Sequence, residues 1–293
     1  MSITTRVIHR LSGRDAAVTD SLPVTILRPS GKRVVFSLID LWRCRTLLYF
    51  LAWRDIKVRY KQTILGAAWA IAQPLLSMLI FSFVFGRLAH VPSNGVPYPL
   101  FAYAGLLPWT FFSTAISNSG NSIVGNSNLI TKVYFPRMTI PVAAVGAALV
   151  DFGIGLIMLF ILRSYYGIAN TRSILAFPAI LTILIVFAIG VGLCVSALNV
   201  RYRDVRYALP FAIQLWMFVS PVIYPLSFLP GRFRWIFILN PLTGILEGFR
   251  AALLGLSGFD WEAGGLAVVL SFLVFLGGVY VFRRAEKTFA DVI

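Results

Sequence analysis

Long apolar runs separated by short polar stretches dominate this chain. After a basic, aromatic segment that ends at Lys61, no charged residue occurs at any of the 25 positions of 62–86. About 20 apolar residues in a helix are enough to cross the hydrocarbon core of a bilayer. The apolar pattern predicts six such spans, at 64–86, 100–119, 138–162, 174–198, 208–226 and 264–282. The predicted fold is an all-α polytopic membrane protein, with six transmembrane helices in a membrane domain at 62–285.

Composition and charge support a membrane protein whose two termini lie in the cytoplasm. The chain is 58% hydrophobic and only 13% charged, outside the usual range of soluble domains. Its net charge of +15 is not gathered on a folded soluble domain, so we expect membrane lipid and no nucleic acid as a partner. Of the 26 Lys and Arg residues, 12 precede residue 64, and dense Lys/Arg clusters mark cytoplasmic ends of spans. The Arg residues assigned to outer segments are Arg87, Arg163, Arg172, Arg232, Arg234 and Arg250.

Three segments flank the membrane domain. Residues 1–37 are predicted to form a cytoplasmic tail with a small hairpin, and 286–293 a cytoplasmic C-terminal tail. Residues 38–61 place aromatic side chains on one helical stripe with cations beside it, which is typical of an interfacial amphipathic helix. This helix serves either as an anchor or as a platform for a cytoplasmic partner. Its residues expected at lipid headgroups are Arg54, Lys57, Arg59, Tyr60 and Lys61.

The outer segment 227–263 contains an apolar run that is too short and too charged to span. Glu247 and Arg250 interrupt the run at 242–256, and Pro230 and Pro241 precede it. Two interpretations remain open, a re-entrant pair of short helices between spans five and six or a helical loop on the outer surface. Re-entrant backbone is tolerated only where protein or a water-filled cavity covers it.

Two cytoplasmic loops are candidate contacts for another subunit. In 118–137, Asn126 or Ser127 is placed to cap a short helix through Tyr134, and the loop is longer than a simple connector needs. The charged loop 199–207 is either a topology signal or a second contact. The contact candidates are Asn128, Lys132, Tyr134, Arg137, Arg203 and Asp204.

Asp151 is an acid near the middle of a predicted span. A charged carboxylate in that position costs on the order of 3 kcal/mol by insertion scales. It shares a small-residue stripe with Ala143, Ala147 and Gly155, a pattern typical of helix packing in membranes. We expect a structural hydrogen bond or helix lock, with a proton relay as the alternative.

Aromatic residues concentrate toward the outer half of the predicted bundle. They are either belt and core residues or rings that face a channel and stack on sugars. The candidates for a conduit or gate are Trp109, Phe111, Phe112, Trp216, Tyr224 and Phe228.

Several motifs with defined chemistry are absent from the sequence. It has no phosphate-binding loop, no zinc-type cluster and no nucleophile–base pair. We therefore expect no catalytic site, no metal and no bound ATP in this chain, so any driven work would need an ATP-binding partner.

Six motifs, taken in order, resemble the membrane subunits of polysaccharide-exporting ABC transporters. The resemblance is closest to the O-antigen type, with capsule and teichoic acid exporters as relatives, and it runs from about Pro23 to Ala285. The motifs are PVTILRPSGK, LLYFLAWRDIKVRYKQTILGAAWAIAQPLL, LITKVYFPRMTIPVA, NVRYRDV, SPVIYP and NPLTGILEGFR.

The resemblance implies a homodimer in the bacterial inner membrane, with a conduit between the copies and two separate ATPase subunits that bind ATP and Mg. It implies that helix 38–61 and the short helix near 126–134 receive the ATPase motion, and that 227–256 gates the outer end. The cargo would be a polysaccharide on a polyprenyl diphosphate lipid, whose headgroup the cationic cluster of 54–61 would meet.

Two alternatives compete with this exporter function. One is a proton-coupled transporter that uses Asp151. The other is a membrane glycosyltransferase, whose acids would come from Asp40, Asp55, Asp204, Glu247, Asp260 and Glu262.

Overall fold

The computed structural model describes residues 42–61, 68–132, 135–168, 172–228, 230–256, 259–287 and 289. The regular elements among them are all helical, which confirms the all-α class. The α-helices are α1 (Arg45–Lys61), α2 (Ala68–Phe81), α3 (Tyr98–Gly125), α4 (Ser127–Lys132), α5 (Thr139–Tyr165), α6 (Phe177–Arg201), α7 (Val205–Phe218), α8 (Gly231–Ile238), α9 (Pro241–Leu254) and α10 (Trp261–Glu286). The hairpin predicted within 1–37 lies outside the described residues.

Five helical segments of the described chain are long and apolar enough to cross a membrane. They correspond to the predicted spans one to four and six, and most extend a few residues beyond the predicted ends. A π-helical stretch continues α2, and a 3₁₀ turn precedes α6. The five segments are Ala68–Leu88, Tyr98–Gly125, Thr139–Tyr165, Arg172–Arg201 and Trp261–Glu286.

The predicted fifth span, 208–226, contains a shorter helix than expected. Helix α7 has 14 residues, about 21 Å at 1.5 Å per residue, against about 30 Å of hydrocarbon core. Leu209 of α7 approaches Gly120 of α3. Beyond α7 the chain continues in turns as far as Pro225, followed by a 3₁₀ turn at Leu226–Phe228, and the Tyr98 hydroxyl of α3 donates to the Ile223 carbonyl over 2.7 Å. The predicted fifth span therefore corresponds to a helix followed by an irregular segment.

Helix α3 forms the centre of the bundle and packs on α5 and α6. The Tyr103 hydroxyl donates to the carbonyl of Gly155 in α5 at 3.0 Å. The Asn199 amide in α6 donates to the carbonyl of Gly120 at 2.8 Å. These bonds lie toward opposite ends of α3, so they hold the helix along most of its length.

Helix α9 is enclosed by protein although it is too short to span. Asn240 caps its first turn by accepting a hydrogen bond from the Leu242 amide, and Gly255 ends the helix with φ of 68°. A Cβ added at Gly244 would come within 2.2 Å of the Ala263 carbonyl oxygen in α10. This close approach, with burial of most α9 side chains, fits the predicted re-entrant segment.

Helix α1 packs obliquely along α5. Ala52 lies against Gly146, and farther along, the Tyr60 hydroxyl bonds to Asp151. The two contacts are eight residues apart in α1 but only five residues apart in α5, so the two helices cross at an angle. Leu51 joins a buried cluster with Ile140 and Ala143 near the start of α5, so α1 contacts both the first turns of α5 and its middle.

Candidate functional site

The irregular segment after α7 is held by Arg250, a fully buried residue of α9. The Arg250 Nη1 donates to the Pro221 carbonyl at 2.8 Å and to the Tyr224 carbonyl at 3.4 Å. Its Nη2 donates to the Val222 carbonyl at 2.6 Å. If α7 continued, these carbonyls would accept hydrogen bonds from backbone amides of the same helix. The guanidinium replaces those hydrogen bonds beyond Phe218.

Three further contacts complete the surroundings of Arg250. The Glu247 carboxylate accepts from Arg250 Nη1 at 3.1 Å and from the Leu226 amide at 3.2 Å. The guanidinium carbon lies 3.9 Å from the ring centroid of Phe101, a cation–π distance. At Gly105 an added Cβ would come within 2.4 Å of Arg250 Nη2. We call Arg250, Glu247 and the 221–224 carbonyls the outer clamp.

A second ion pair holds the outer helix α8 near the start of α10. Arg234 pairs with Asp260, which also caps α10 by accepting from the amides of Glu262 and Ala263. Partial burial of the Asp260 carboxyl raises its pKa, but the bond from Arg234 and the two amide donors outweigh burial and keep the pKa below its usual value. The carboxylate is therefore charged at neutral pH and stabilises the N-terminus of α10.

A polar stripe runs along the C-terminal half of α3. Its members recur at helical spacing on one face, and all are half-buried rather than enclosed. Ser113 donates to the Thr110 carbonyl of its own helix, and its hydroxyl oxygen keeps the capacity to accept. Asn121 donates to the Ser117 carbonyl and accepts from the Asn199 amide of α6 at 3.2 Å. The members of the polar stripe are Thr110, Ser113, Thr114, Ser117 and Asn121.

The polar stripe lies on the face of α3 between its contacts with α2 and with α7, and we call this half-exposed face the groove. On one side, Leu209 of α7 lies against α3 at Gly120. On the other side, Thr110 and Thr114 line a small cavity together with Gln73 of α2. Half-exposed hydroxyl and amide groups are disfavoured against lipid, so the groove is suited to a second protein surface or to a polar substrate.

Asp151 lies at the junction of α1, α2 and α5. Its carboxylate accepts hydrogen bonds from Arg59 and from the Tyr60 hydroxyl, both in α1. It also lines the cavity of about 70 Å³ that Gln73 and Thr110 line. We call Arg59, Tyr60 and Asp151 the inner junction, because it joins α1 to α5 within the bundle.

The structure divides the predicted conduit aromatics into two groups. Trp109, Phe111 and Phe112 are buried inside the subunit, where Phe112 stacks on Phe187 with centroids 5.1 Å apart. The remaining three candidates lie on or near the outer segment. Trp216 is half-buried and donates to Asn240, Tyr224 is half-buried and donates to the Phe218 carbonyl, and Phe228 is exposed.

The predicted headgroup residues also divide into two sets. Arg59 and Tyr60 turn inward to Asp151, as described above. Arg54 pairs with its neighbour Asp55 at 2.8 Å, while Lys57 and Lys61 are exposed beside an open pocket that Ile56 also lines. The two lysines, one helical turn apart, therefore form the cationic part of this surface.

The predicted subunit contacts on α4 and in the 199–207 loop lie at the surface, and Arg137 packs against the C-terminal part of the chain. Asn128 and Lys132 are exposed on α4, and Arg203 and Asp204 are exposed between α6 and α7. Arg137 donates to the Glu286 carbonyl at 2.8 Å. Tyr134 lies outside the described residues. The Asn126 side-chain amide donates to the Ser122 carbonyl of α3 at 2.7 Å.

Sequence reasoning missed the polar stripe and the outer clamp. Glu247 and Arg250 were predicted to interrupt an apolar run, Arg250 was assigned to an outer segment, and Glu247 was a candidate acid of the glycosyltransferase alternative, but their pairing was not predicted. The signal that could have identified the polar stripe is the recurrence of Ser, Thr and Asn at intervals of three and four in an otherwise uncharged span.

The sequence matches a known protein family and several known proteins. The family model described as "ABC-2 type transporter" matches residues 46–254. The O-antigen export system permease protein RfbA of Myxococcus xanthus is 29% identical over 257 residues, 87% of this chain and 98% of that protein. A protein of the same name from Klebsiella pneumoniae is 29% identical over 248 residues, 84% of this chain and 95% of that protein.

A third relative is a transport protein for polysialic acid. The polysialic acid transport protein KpsM of Escherichia coli is 27% identical over 208 residues, 69% of this chain and 78% of that protein. Because the family match covers well over half of the sequence and includes α1, the polar stripe, the inner junction and the outer clamp, this chain belongs to the ABC-2 type transporter family of membrane proteins.

Proposed function

We propose that this chain is the membrane subunit of an ATP-driven exporter that moves a lipid-linked polysaccharide of the O-antigen type across the bacterial inner membrane. The observation that carries the proposal is the polar stripe in its groove between α2 and α7. Similarity over nearly the full length of two O-antigen export permeases supports the choice of cargo.

In this proposal two copies of the chain face each other across the groove and enclose a conduit. Hydroxyl and amide oxygens of the polar stripe offer hydrogen-bond partners to sugar hydroxyls as the glycan passes. Five short polar side chains spread over three helical turns provide many weak contacts in place of one tight site. Such a surface lets a long chain slide, because no single position holds it strongly.

The cargo enters from the cytoplasmic leaflet beside α1. Lys57 and Lys61 meet the diphosphate headgroup through charge-assisted hydrogen bonds, and the pocket that Ile56 and Tyr60 also line accepts the first part of the lipid. Arg54 lies on the same helix, with its charge shared with Asp55. We assign headgroup contact mainly to the two lysines.

Energy comes from two ATPase subunits that bind ATP and Mg. They press on α4 through Asn128 and Lys132 and on the adjacent loop through Arg203 and Asp204, with both termini of the chain in the cytoplasm. The motion reaches the outer end, where the segment from α7 to α9 gates the exit. Of the aromatic candidates, Trp216, Tyr224 and Phe228 lie at that end.

Blocking the groove tests this proposal. Ser117→Trp fills the polar stripe at its middle, whereas Ile157→Trp places the same ring on an exposed position of α5. Each variant is produced together with a candidate ATPase subunit, and glycan on the outer face of the membrane is measured. We expect Ser117→Trp to assemble with the ATPase but export no glycan, and Ile157→Trp to export normally. Normal export by Ser117→Trp would contradict the assignment of the conduit.

A further inference from the structure

Near its C-terminal end, at Glu286 and Phe289, the described chain packs into the face of the bundle where α4 lies. Phe289 has an exposed fraction of only 1%, and its ring meets Phe282 of α10 edge-on, with centroids 5.4 Å apart. It belongs to the same buried cluster as Ile130 of α4 and Met138 at the start of α5. The end predicted from sequence to be a simple tail therefore contributes to the core behind α4.

Arg137 connects this C-terminal end to the cytoplasmic loop in three ways. Its backbone amide donates to the Glu286 carboxylate at 3.3 Å. Its guanidinium donates to the Glu286 carbonyl at 2.8 Å and lies 6.0 Å from the ring centroid of Phe289. Glu286 and Phe289 thus hold both the backbone and the side chain of Arg137, which lies two residues before α5.

The contacts reach the loop from its inner side. Ile130 points into the buried cluster, whereas Asn128 and Lys132 on the same short helix are exposed. A helix of six residues has little stability of its own, so its orientation depends on what packs beneath it. Glu286 and Phe289 supply part of that support, and the face of α4 that carries Asn128 and Lys132 stays exposed.

We propose that Glu286 and Phe289 are positioning residues, which hold the loop 126–137 in the orientation that the ATPase subunit binds. This inference rests on the proposed function, because it takes α4 as the surface that meets the ATPase. The two residues act through Arg137 and the buried cluster, and they do not themselves contact the partner. Truncation before Phe289 is expected to weaken the complex while leaving the membrane bundle intact.

Hydrogen exchange of the full-length chain alone, in lipid nanodiscs, tests the positioning step without the partner. We expect Phe289→Ala to speed exchange at the amides of 127–132, with exchange in α3 and α9 unchanged. Phe289→Leu refills the cluster with an apolar side chain and is expected to restore most of the protection. Lys287→Ala is the matched control, since this side chain is exposed in the same turn. Equal exchange in all four proteins would overturn the proposal.

Affinity for the purified ATPase subunit tests the functional step. We expect Phe289→Ala to raise the Kd about tenfold, within the usual range of coupling between sites, and Lys287→Ala to leave it unchanged. In an Arg137→Ala background, Phe289→Ala should add little, because both changes release the same loop. Additive effects, or faster exchange at 127–132 without loss of affinity, would overturn the positioning role. A wild-type chain that binds no ATPase would instead refute the proposed function, and this result is visible before any variant is made.

Discussion

The outer clamp and the inner junction both place charged side chains inside the helix bundle, but they do so in different ways. Arg250 is fully enclosed and donates most of its hydrogen bonds to backbone carbonyls. Asp151 keeps about a quarter of its side chain exposed, lies beside a cavity, and takes its bonds from two side chains of another helix. The clamp therefore replaces missing secondary structure, whereas the junction ties one helix to another and can open without exposing backbone.

This difference bears on the exporter mechanism that we propose. A guanidinium that satisfies several carbonyls cannot leave without stranding them, so the segment 221–224 and α9 should move as one unit. A side-chain pair beside a cavity can separate when α1 is pushed, because water or a threonine hydroxyl can take over a hydrogen bond. We therefore expect the outer clamp to move as a rigid body and the inner junction to rearrange locally.

Removing the guanidinium of the outer clamp should give the largest loss of stability. Arg250→Met strands the buried carbonyls of 221–224 and takes the cation away from the half-buried Glu247 carboxylate, and breaking a buried pair in this way costs about 3–5 kcal/mol. Thermal unfolding of the purified protein in detergent measures the loss. The stability of Arg250→Lys should fall between those of Arg250→Met and wild type, because a lysine ammonium reaches fewer carbonyls than a planar guanidinium does. Equal stability of Arg250→Met and wild type would show that the clamp is dispensable.

Crowding the outer clamp should have the next largest effect. Gly105→Ala places a methyl group within 2.4 Å of both Arg250 Nη2 and the Val222 carbonyl oxygen, and overpacking of this kind costs about 1–3 kcal/mol. Gly153→Ala is the matched control, since nothing lies within 4 Å of its added Cβ. The same unfolding measurement should separate the two variants, and similar midpoints would mean that the clamp tolerates displacement.

Neutralising the inner junction should have a smaller effect. Asp151→Asn can still bond to Tyr60 but loses the charge of its pair with Arg59, which for a partly exposed pair costs about 1 kcal/mol. Because we propose that ATP drives export, the amount of glycan exported per ATP hydrolysed should not change. Export that stops while ATP hydrolysis continues would favour the proton-coupled alternative. The swapped pair Arg59→Asp with Asp151→Arg is expected to recover the lost stability.

The smallest effect is expected at the second donor of the inner junction. Tyr60→Phe removes one hydrogen bond to Asp151 and keeps the ring, so the expected cost is about 0.5–1 kcal/mol. Chemical unfolding of the detergent-solubilised protein can resolve this difference. A cost as large as that of Arg250→Met would mean that the junction is as tightly built as the clamp.

The helices were largely predictable from sequence because hydropathy determines which segments enter a membrane. Five of six predicted spans match helices that are long enough to cross, and α4 begins within one residue of its predicted cap. The exception is informative. Span 208–226 carries no charge, yet its helix ends at Phe218, shortly before Pro221 and Pro225. Arg250, far along the chain, donates to the carbonyls that the ended helix leaves unbonded.

The candidate site was less predictable, because in a membrane both buried and lipid-facing positions are apolar. Hydropathy could not show that Phe112 packs inside the subunit. The direction in which Arg59 and Tyr60 point depends on how α1 lies on α5, which is a tertiary property. The partner of Asp151 was likewise invisible, although its predicted role as a hydrogen-bonded lock agrees with the contacts.

Transport in a reconstituted system tests the central proposal most directly. The chain and its ATPase subunit are placed in liposomes with a polysaccharide on a polyprenyl diphosphate, and glycan protected inside the vesicles is measured. We predict that protection requires ATP, the ATPase subunit and this chain together, and that a proton gradient alone gives none. Movement driven by a proton gradient without the ATPase, or steady ATP hydrolysis with no protected glycan, would contradict the proposed function.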